Sequence, residues 1–187
     1  MPACHWIADP FRETTGQRED TRMKILVLSD SHGEVEAMVR AVKRIGPEMI
    51  FHLGDGWRDA EIVAEKYPDI PFYQVAGNCD YRYRKHTEQT VLVHGKKLFL
   101  CHGHTYNIKQ TFYDADELAE REGLDAFLFG HTHSPLVEKR GRTLFMNPGS
   151  IGMGYPPSFG VLTVDENRVD ARIYQLKVGS GFPAGIF

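Results

Sequence analysis

The sequence predicts an α/β fold, two stacked mixed β-sheets flanked by helices, which is an αββα sandwich. Three observations support this. The first half alternates short β-branched apolar runs with helical patterns, which implies parallel strands joined by right-handed crossovers. The second half sets further apolar runs around tight turns, as antiparallel hairpins do. The chain has 187 residues and is 42% hydrophobic, enough for one sizeable core.

The elements are justified in chain order. KILVLS (24–29) reads as a buried strand, and 34–45 has Val35, Met38, Val39 and Val42 at helical spacing. MIFHL (49–53) is a second buried strand. Residues 60–67 form a short helix closed by Pro68, and PFYQVA (71–76) is a third strand. Residues 90–93 and 97–101 flank the turn at His94-Gly95, and 114–122 is helical. A strand at 126–129 precedes two hairpins, 136–139 with 143–146 around Arg140-Gly141-Arg142, and 159–164 with 168–176.

Composition narrows the function classes. A net charge of −3 offers no dedicated surface for nucleic acid. No apolar run approaches the roughly 18 residues of a membrane span. Cys4, Cys79 and Cys101 are widely spaced and form neither a disulfide framework nor a CxxC zinc site, so a reducing cytoplasm is the expected setting. Residues 1–22 are polar and aperiodic, without the apolar core of a signal peptide. They are expected to be a disordered arm or a non-native start, with Met23 opening the domain. The domain is expected over 23–178, with a loose or partner-docking tail at 179–187. A homo-oligomer is compatible with all of this.

FGHTHS (129–134) raises the question of chemistry, because it ends an apolar run with two histidines separated by one residue. In extended backbone such side chains project to one side, roughly 6.5–7 Å apart. Similar endings recur. The first strand runs into Asp30-Ser31-His32, the second into Gly54-Asp55, the third into Gly77-Asn78-Cys79-Asp80, and the strand at 97–101 into His102-Gly103-His104. In open α/β sheets the ligand crevice lies beyond the carboxyl ends of the strands. Five such ends bearing Asp, Asn or His point to a metal site, and the adjacent glycines allow backbone to approach it closely.

In this order the motifs resemble the calcineurin-like metallophosphoesterase superfamily. The short chain, the GNCD form at 77–80 and NPGS at 147–150 resemble its small YfcE-type phosphodiesterase branch, whose eukaryotic relative is a retromer scaffold subunit. The likeness runs from Met23 to about Leu176. It implies that Asp30, His32 and His133 hold one metal, that Asn78, His102 and His131 hold a second, and that Asp55 bridges them. Mixed imidazole, carboxylate and amide donors suit Mn, the favoured ion, or Fe, Zn, Co or Ni, rather than all-oxygen cages. The implied activity is hydrolysis of a small phosphate ester, most simply a phosphodiester, by in-line attack of a metal-bridging hydroxide. The alternative is a non-catalytic, metal-binding interaction scaffold. Asp55, Asn78, Cys79 and His104 are the catalytic candidates. His104 is expected either to touch substrate or to support a ligand, and Arg82 and Arg84 to bind phosphate in a fork. Cys79 stands where the wider superfamily has a histidine, which puts proton donation to the leaving oxygen in question.

Overall fold

The computed structural model describes residues 22–176. The expectations for 1–21 and for the tail from 177 onward lie outside the described residues. Among the described residues, ten strands form two five-stranded sheets and three α-helices accompany them. The strands are β1 (Met23–Leu28), β2 (Met49–His52), β3 (Phe72–Gln74), β4 (Glu88–Val93), β5 (Lys96–Cys101), β6 (Ala126–Leu128), β7 (Leu136–Arg140), β8 (Thr143–Asn147), β9 (Ser158–Val164) and β10 (Val169–Gln175). The helices are α1 (Val35–Ile45), α2 (Trp57–Lys66) and α3 (Tyr113–Glu122). Sheet order is β10-β9-β1-β2-β3 in one sheet and β4-β5-β6-β8-β7 in the other.

The side-chain period of two in the strands produces the layers. In β1, Ile25 and Val27 enter the core between the sheets, while Leu26 and Leu28 face the Ala37, Met38 and Val42 side of α1. In β5 and β6, Leu98, Leu100 and Leu128 enter the same inter-sheet core, while Phe99 and Phe127 turn out towards Ala115 and Ala119 of α3. The central strands of each sheet therefore bury both faces, which explains why they read as continuous apolar runs, whereas the outer strands β4, β7 and β10 keep exposed polar positions. Helix α1 ends where Gly46 adopts a left-handed conformation (φ 57°) and its N–H reaches Val42 O at 2.9 Å.

The expected sandwich is present, but two local expectations need correction. The second half is not simply antiparallel: β5, β6 and β8 pair in parallel, and β9–β10 returns to the first sheet, antiparallel to β1. Helix α3 is the reason, since it is a crossover that carries the chain from β5 to a parallel β6. Helix α2 starts at Trp57 rather than residue 60, because the Asp80 carboxylate accepts from the Trp57 and Gly56 N–H groups and completes the first turn. The consequence for function is geometric: β1, β2 and β3 in one sheet and β5, β6 and β8 in the other bring their carboxyl ends to a common edge.

Candidate metal centre

The loops beyond those carboxyl ends are interlocked. Asp30 N–H donates to Gly54 O (2.9 Å), Gly130 N–H to His102 O (3.1 Å) and Gly152 N–H to Asp30 O (3.2 Å). The His131 N–H reaches from the second sheet to the Asp30 carboxylate at 3.2 Å. Two glycines make this possible. A Cβ on Gly130 would lie 1.9 Å from Ser29 Oγ, and one on Gly77 would lie 2.1 Å from Asp55 Oδ1.

Asp30, His32, Asp55, His131 and His133 all have left-handed backbone, with φ between 45° and 66°. Non-glycine residues rarely adopt this conformation, at a cost of order 1–3 kcal/mol each, and such strain concentrates at functional sites. The finding also corrects the expectation from the sequence. The paired residues lie beyond the strands, in left-handed turns, so their convergence does not come from the pleat of an extended chain.

The side chains meet over a buried floor. Asp30 and His102 are fully buried and Asp55 nearly so, whereas His32, Asn78 and Cys79 form a solvent-facing lip. His133 Nε2 lies 3.1 Å from Asp30 Oδ1, and His32 Nε2 lies 4.0 Å from Asp55 Oδ2. The His32 and His133 rings, from opposite sheets, are 5.6 Å apart, and the His102 and His131 rings are 5.0 Å apart. Among the described residues, three groups have donor atoms close enough to share an ion: Asp30 with His32 and His133, Asp30 with Asp55 and His102, and His32 with Asp55 and Cys79.

Two atoms test whether a cation fits. His102 Nδ1 lies 2.7 Å from Leu53 O, and since a carbonyl only accepts, Nδ1 carries the proton. In the neutral ring Nε2 is then a lone pair, yet it faces Asn78 Oδ1 at 3.2 Å, Asp55 Oδ2 at 3.4 Å and Asp30 Oδ1 at 3.9 Å. Asp30 Oδ1 is itself buried and, although His133 Nε2 is 3.1 Å away, makes no well-directed hydrogen bond among the described residues. A nitrogen lone pair among oxygen lone pairs is repulsive unless positive charge lies between them. With protein groups alone, that charge falls to His102. Burial disfavours its imidazolium, but the Asp55 hydrogen bond and the charges of Asp30 and Asp55 carry its pKa above the ordinary value. Burial likewise opposes the Asp55 carboxylate, but His102 and the Cys79 N–H (2.7 Å) outweigh it and hold its pKa below the usual carboxylate range. The donor set fits a divalent metal.

The other candidate residues take varied positions. The His104 ring lies 5.4 Å from that of His102 and 6.1 Å from that of His131, and its buried Nδ1 has no hydrogen-bond partner among the described residues. Burial and the neighbouring His102 lower its pKa. The Cys79 Sγ accepts from Asn78 Nδ2 (3.4 Å), and burial with the Asp55 carboxylate pushes its thiol up to about 11. Arg82 is exposed, and the Arg84 guanidinium lies 5.3 Å over the exposed Tyr81 ring, so the structure brings neither into the ligand cluster.

Of the residues that hold the ligand loops, the sequence suggested Asp80 as a backbone anchor of its own loop and missed Asp59, Asn147 and Ser150. Asp80 accepts from the N–H groups of Asp55 and Gly77 (2.8 Å each) and of Trp57 (3.0 Å). Asp59, on the first turn of α2, accepts from Ser31 Oγ (2.6 Å) and Gly33 N–H (2.7 Å), clamping the turn that carries Asp30 and His32. Asn147 Nδ2 donates to Gly130 O (2.8 Å), and Ser150 Oγ donates to Asp30 O (2.8 Å), so NPGS ties the two halves of the site together. NPGS and GNCD carried the signal for Asn147, Ser150 and Asp80. Asp59 had none, since a lone carboxylate on a helix reads as solvated.

Behind the floor, fully buried His52 accepts from Gly54 N–H at Nδ1 (3.3 Å), which leaves Nε2–H to donate to Ser31 Oγ (3.2 Å). Burial lowers its pKa from 6.5 to about 4. As pH falls, the unfolded chain takes up this proton first, so stability is full above pH 6.5 and declines towards pH 4, by about 3 kcal/mol in all. Denaturant titrations of metal-free protein at pH 7.5 and pH 4 should show that loss. His52→Gln, which keeps one donor and one acceptor, should reduce it. An unchanged pH slope in the variant would assign the loss to other groups.

The fold and the donor set define a metal-binding α/β sandwich whose site lies where two sheets converge. Residues 23–167 match the calcineurin-like phosphoesterase superfamily domain, and the chain belongs to that family. It is 32% identical over 158 residues to the probable metallophosphoesterase YsnB of Bacillus subtilis, covering 81% of this chain and 90% of that one. It is 30% identical over 171 residues to the phosphodiesterase YfcE of Escherichia coli, covering 76% and 89%. Among solved structures, Vacuolar Protein Sorting 29 from Cryptosporidium parvum shares the fold with a TM-score of 0.70 at 20% identity, covering 84% of this chain and 93% of that one. Among the described residues no helix is long and apolar enough to cross a membrane, and Cys79 and Cys101 are free.

Proposed function

We propose that the protein is a metal-dependent phosphodiesterase acting on a small phosphate ester through a dinuclear centre. The observation that carries this reading is the His102 Nε2 lone pair, directed at three oxygens while Nδ1 is committed to Leu53 O. Asp30, His32 and His133 would hold one divalent ion, Asn78, His102 and His131 the other, and Asp55 would bridge them, with manganese the favoured metal. Bound there, the ions supply Lewis acidity towards the phosphoryl oxygens and a water acidified towards neutral pKa. The chain's own part is to fix the donors from two sheets through Asp59, Asp80, Asn147 and Ser150, and to leave the lip at His32, Asn78 and Cys79 open to an ester. Neutral His104 stands beside His131 as a substrate contact or a support for that ligand, and Arg82 and Arg84 lie on the loop after Asn78 as phosphate-binding residues.

The second reading is an interaction scaffold that retains the fold, which the likeness to Vacuolar Protein Sorting 29 keeps in view. Every expected ligand type is present in this chain, which favours the enzyme. Elemental analysis followed by a phosphomonoester and phosphodiester panel with added Mn²⁺ separates the two. Metal-dependent turnover of diesters is the expected result, and metal-loaded protein inert on the whole panel would support the scaffold.

Cys79 sets the leaving-group preference in this proposal. Its thiol stays protonated at neutral pH but is a weak donor, and general acid catalysis is typically worth about 10²–10⁴-fold. Aryl esters, which leave without much help, should turn over best, and Cys79→His should raise turnover on alkyl esters. The competing role is packing beside Asn78, with Asp80 fixing the loop. Identical leaving-group dependence in wild type, Cys79→His and Cys79→Ala would remove Cys79 from proton transfer.

A further inference from the structure

A groove of about 540 Å³ lies beside the candidate centre, walled by Ile108, Phe112, Phe129, Pro135 and Leu136. Its remaining lining is Lys109, Thr132 and Ser134, so among the described residues no carboxylate lines it. Two of the loops that carry candidate ligands form its walls. Thr132 stands between His131 and His133, and Asn147 Nδ2 fixes its hydroxyl at 3.0 Å. Ile108 and Phe129 close over Gly103, the residue between His102 and His104: a Cβ there would lie 3.3 Å from Ile108 and 3.5 Å from Phe129. Lys109, exposed, stands on the same rim, next to Ile108 in the chain. Phe112, half-buried, is the aromatic ring that the groove exposes; it meets the buried Phe129 edge-on at 5.8 Å and 76°, and the Arg140 guanidinium lies 4.7 Å over it.

An ester whose phosphate sits on the ligand cluster thus has, on the His131 side, an apolar trough with Lys109 at its lip. The exposed part of the Phe112 ring gives a flat guest something to pack against. A lining without carboxylates and with few hydrogen-bonding groups offers little to a cationic or sugar-like one. We propose that this groove is the subsite for an apolar, aryl-sized substituent of the phosphoester, making the substrate class a phosphodiester with one flat hydrophobic group. The proposal rests on the phosphoesterase reading above.

Two measurements test it, one without turnover. Phenylphosphonate and methylphosphonate are titrated into zinc-loaded protein while backbone amide shifts are followed over 108–112 and 132–136. Phenylphosphonate should bind about tenfold more tightly and shift those amides, and Ser134→Phe, which fills the groove from an exposed position, should abolish the preference. Should that variant fail to fold, the wild-type pair and its shift map decide the matter. Equal affinity for the two phosphonates, or aryl-dependent shifts elsewhere, overturns the subsite.

In parallel, phenyl 4-nitrophenyl phosphate is compared with methyl 4-nitrophenyl phosphate, which has the same leaving group. The phenyl ester should show a kcat/KM about tenfold higher, and Ser134→Phe should remove the difference while metal content stays constant. Hydrolysis of both at equal kcat/KM, with equal phosphonate binding, sinks the subsite and leaves the phosphoesterase standing. No hydrolysis of either, with the aryl preference still mapping to the groove, keeps the subsite and sinks the phosphoesterase.

Discussion

Asp55→Asn is expected to reduce metal-dependent turnover by roughly 10³-fold with little loss of stability. Loss of a residue that merely supports a ligand costs 10–100-fold, and a shared carboxylate should cost more. The substitution is nearly isosteric at a buried position. The amide oxygen can still accept the Cys79 N–H now bound at 2.7 Å, and the amide NH₂ can donate to His102 Nε2, 3.4 Å from the present oxygen. The fold therefore keeps its hydrogen bonds and loses only the negative charge that two cations would share. Elemental analysis, kcat with Mn²⁺ and thermal unfolding of both proteins make the comparison, with chelated wild type as the reference. Near wild-type turnover in the variant, or in chelated wild type, would end the dinuclear proposal.

Asp80→Ala is expected to cost about 3–4 kcal/mol of stability and to weaken metal retention. One carboxylate accepts four backbone N–H groups, from Asp55, Gly56, Trp57 and Gly77, and each net hydrogen bond contributes about 1 kcal/mol. It also places negative charge at the N-terminus of α2, where the helix dipole favours it. For a domain of this size the melting temperature should fall by about 10 °C. Asp80→Asn, whose amide keeps one acceptor but turns a donor towards other donors, should fall between wild type and Asp80→Ala. A melting temperature within about 2 °C of wild type for Asp80→Ala, read by calorimetry, would show that water replaces the carboxylate and that the loop needs no anchor.

Much of this could be read in one dimension. Strands such as KILVLS and MIFHL are legible because they are central strands buried on both faces, which makes the runs apolar and β-branched. Helix α1 is legible from its spacing and from Gly46 beyond its end. The candidate ligands are legible because each comes within a few residues of a strand's carboxyl end, so chain order alone places it there. Residues that reach across the site were not. Asp59 lies 28 positions from Ser31, and Ser150 lies 120 from Asp30. Nothing local distinguishes such a carboxylate or hydroxyl from a solvated one.

The sequence by itself determined the layered class, the kinds of donor and their order along the chain, since these depend on apolar periodicity and on the few residues that close each strand. Tertiary structure decided which sheet each late strand joins, because the choice of β1 as the partner of β9 is a long-range contact with no local code. It also decided how the histidine pairs converge. Left-handed turns at Asp30, His32, Asp55, His131 and His133 are disfavoured in an isolated chain. They persist only because packed sheets and cross-loop hydrogen bonds from Asp59, Asp80, Asn147 and Ser150 outweigh the local cost.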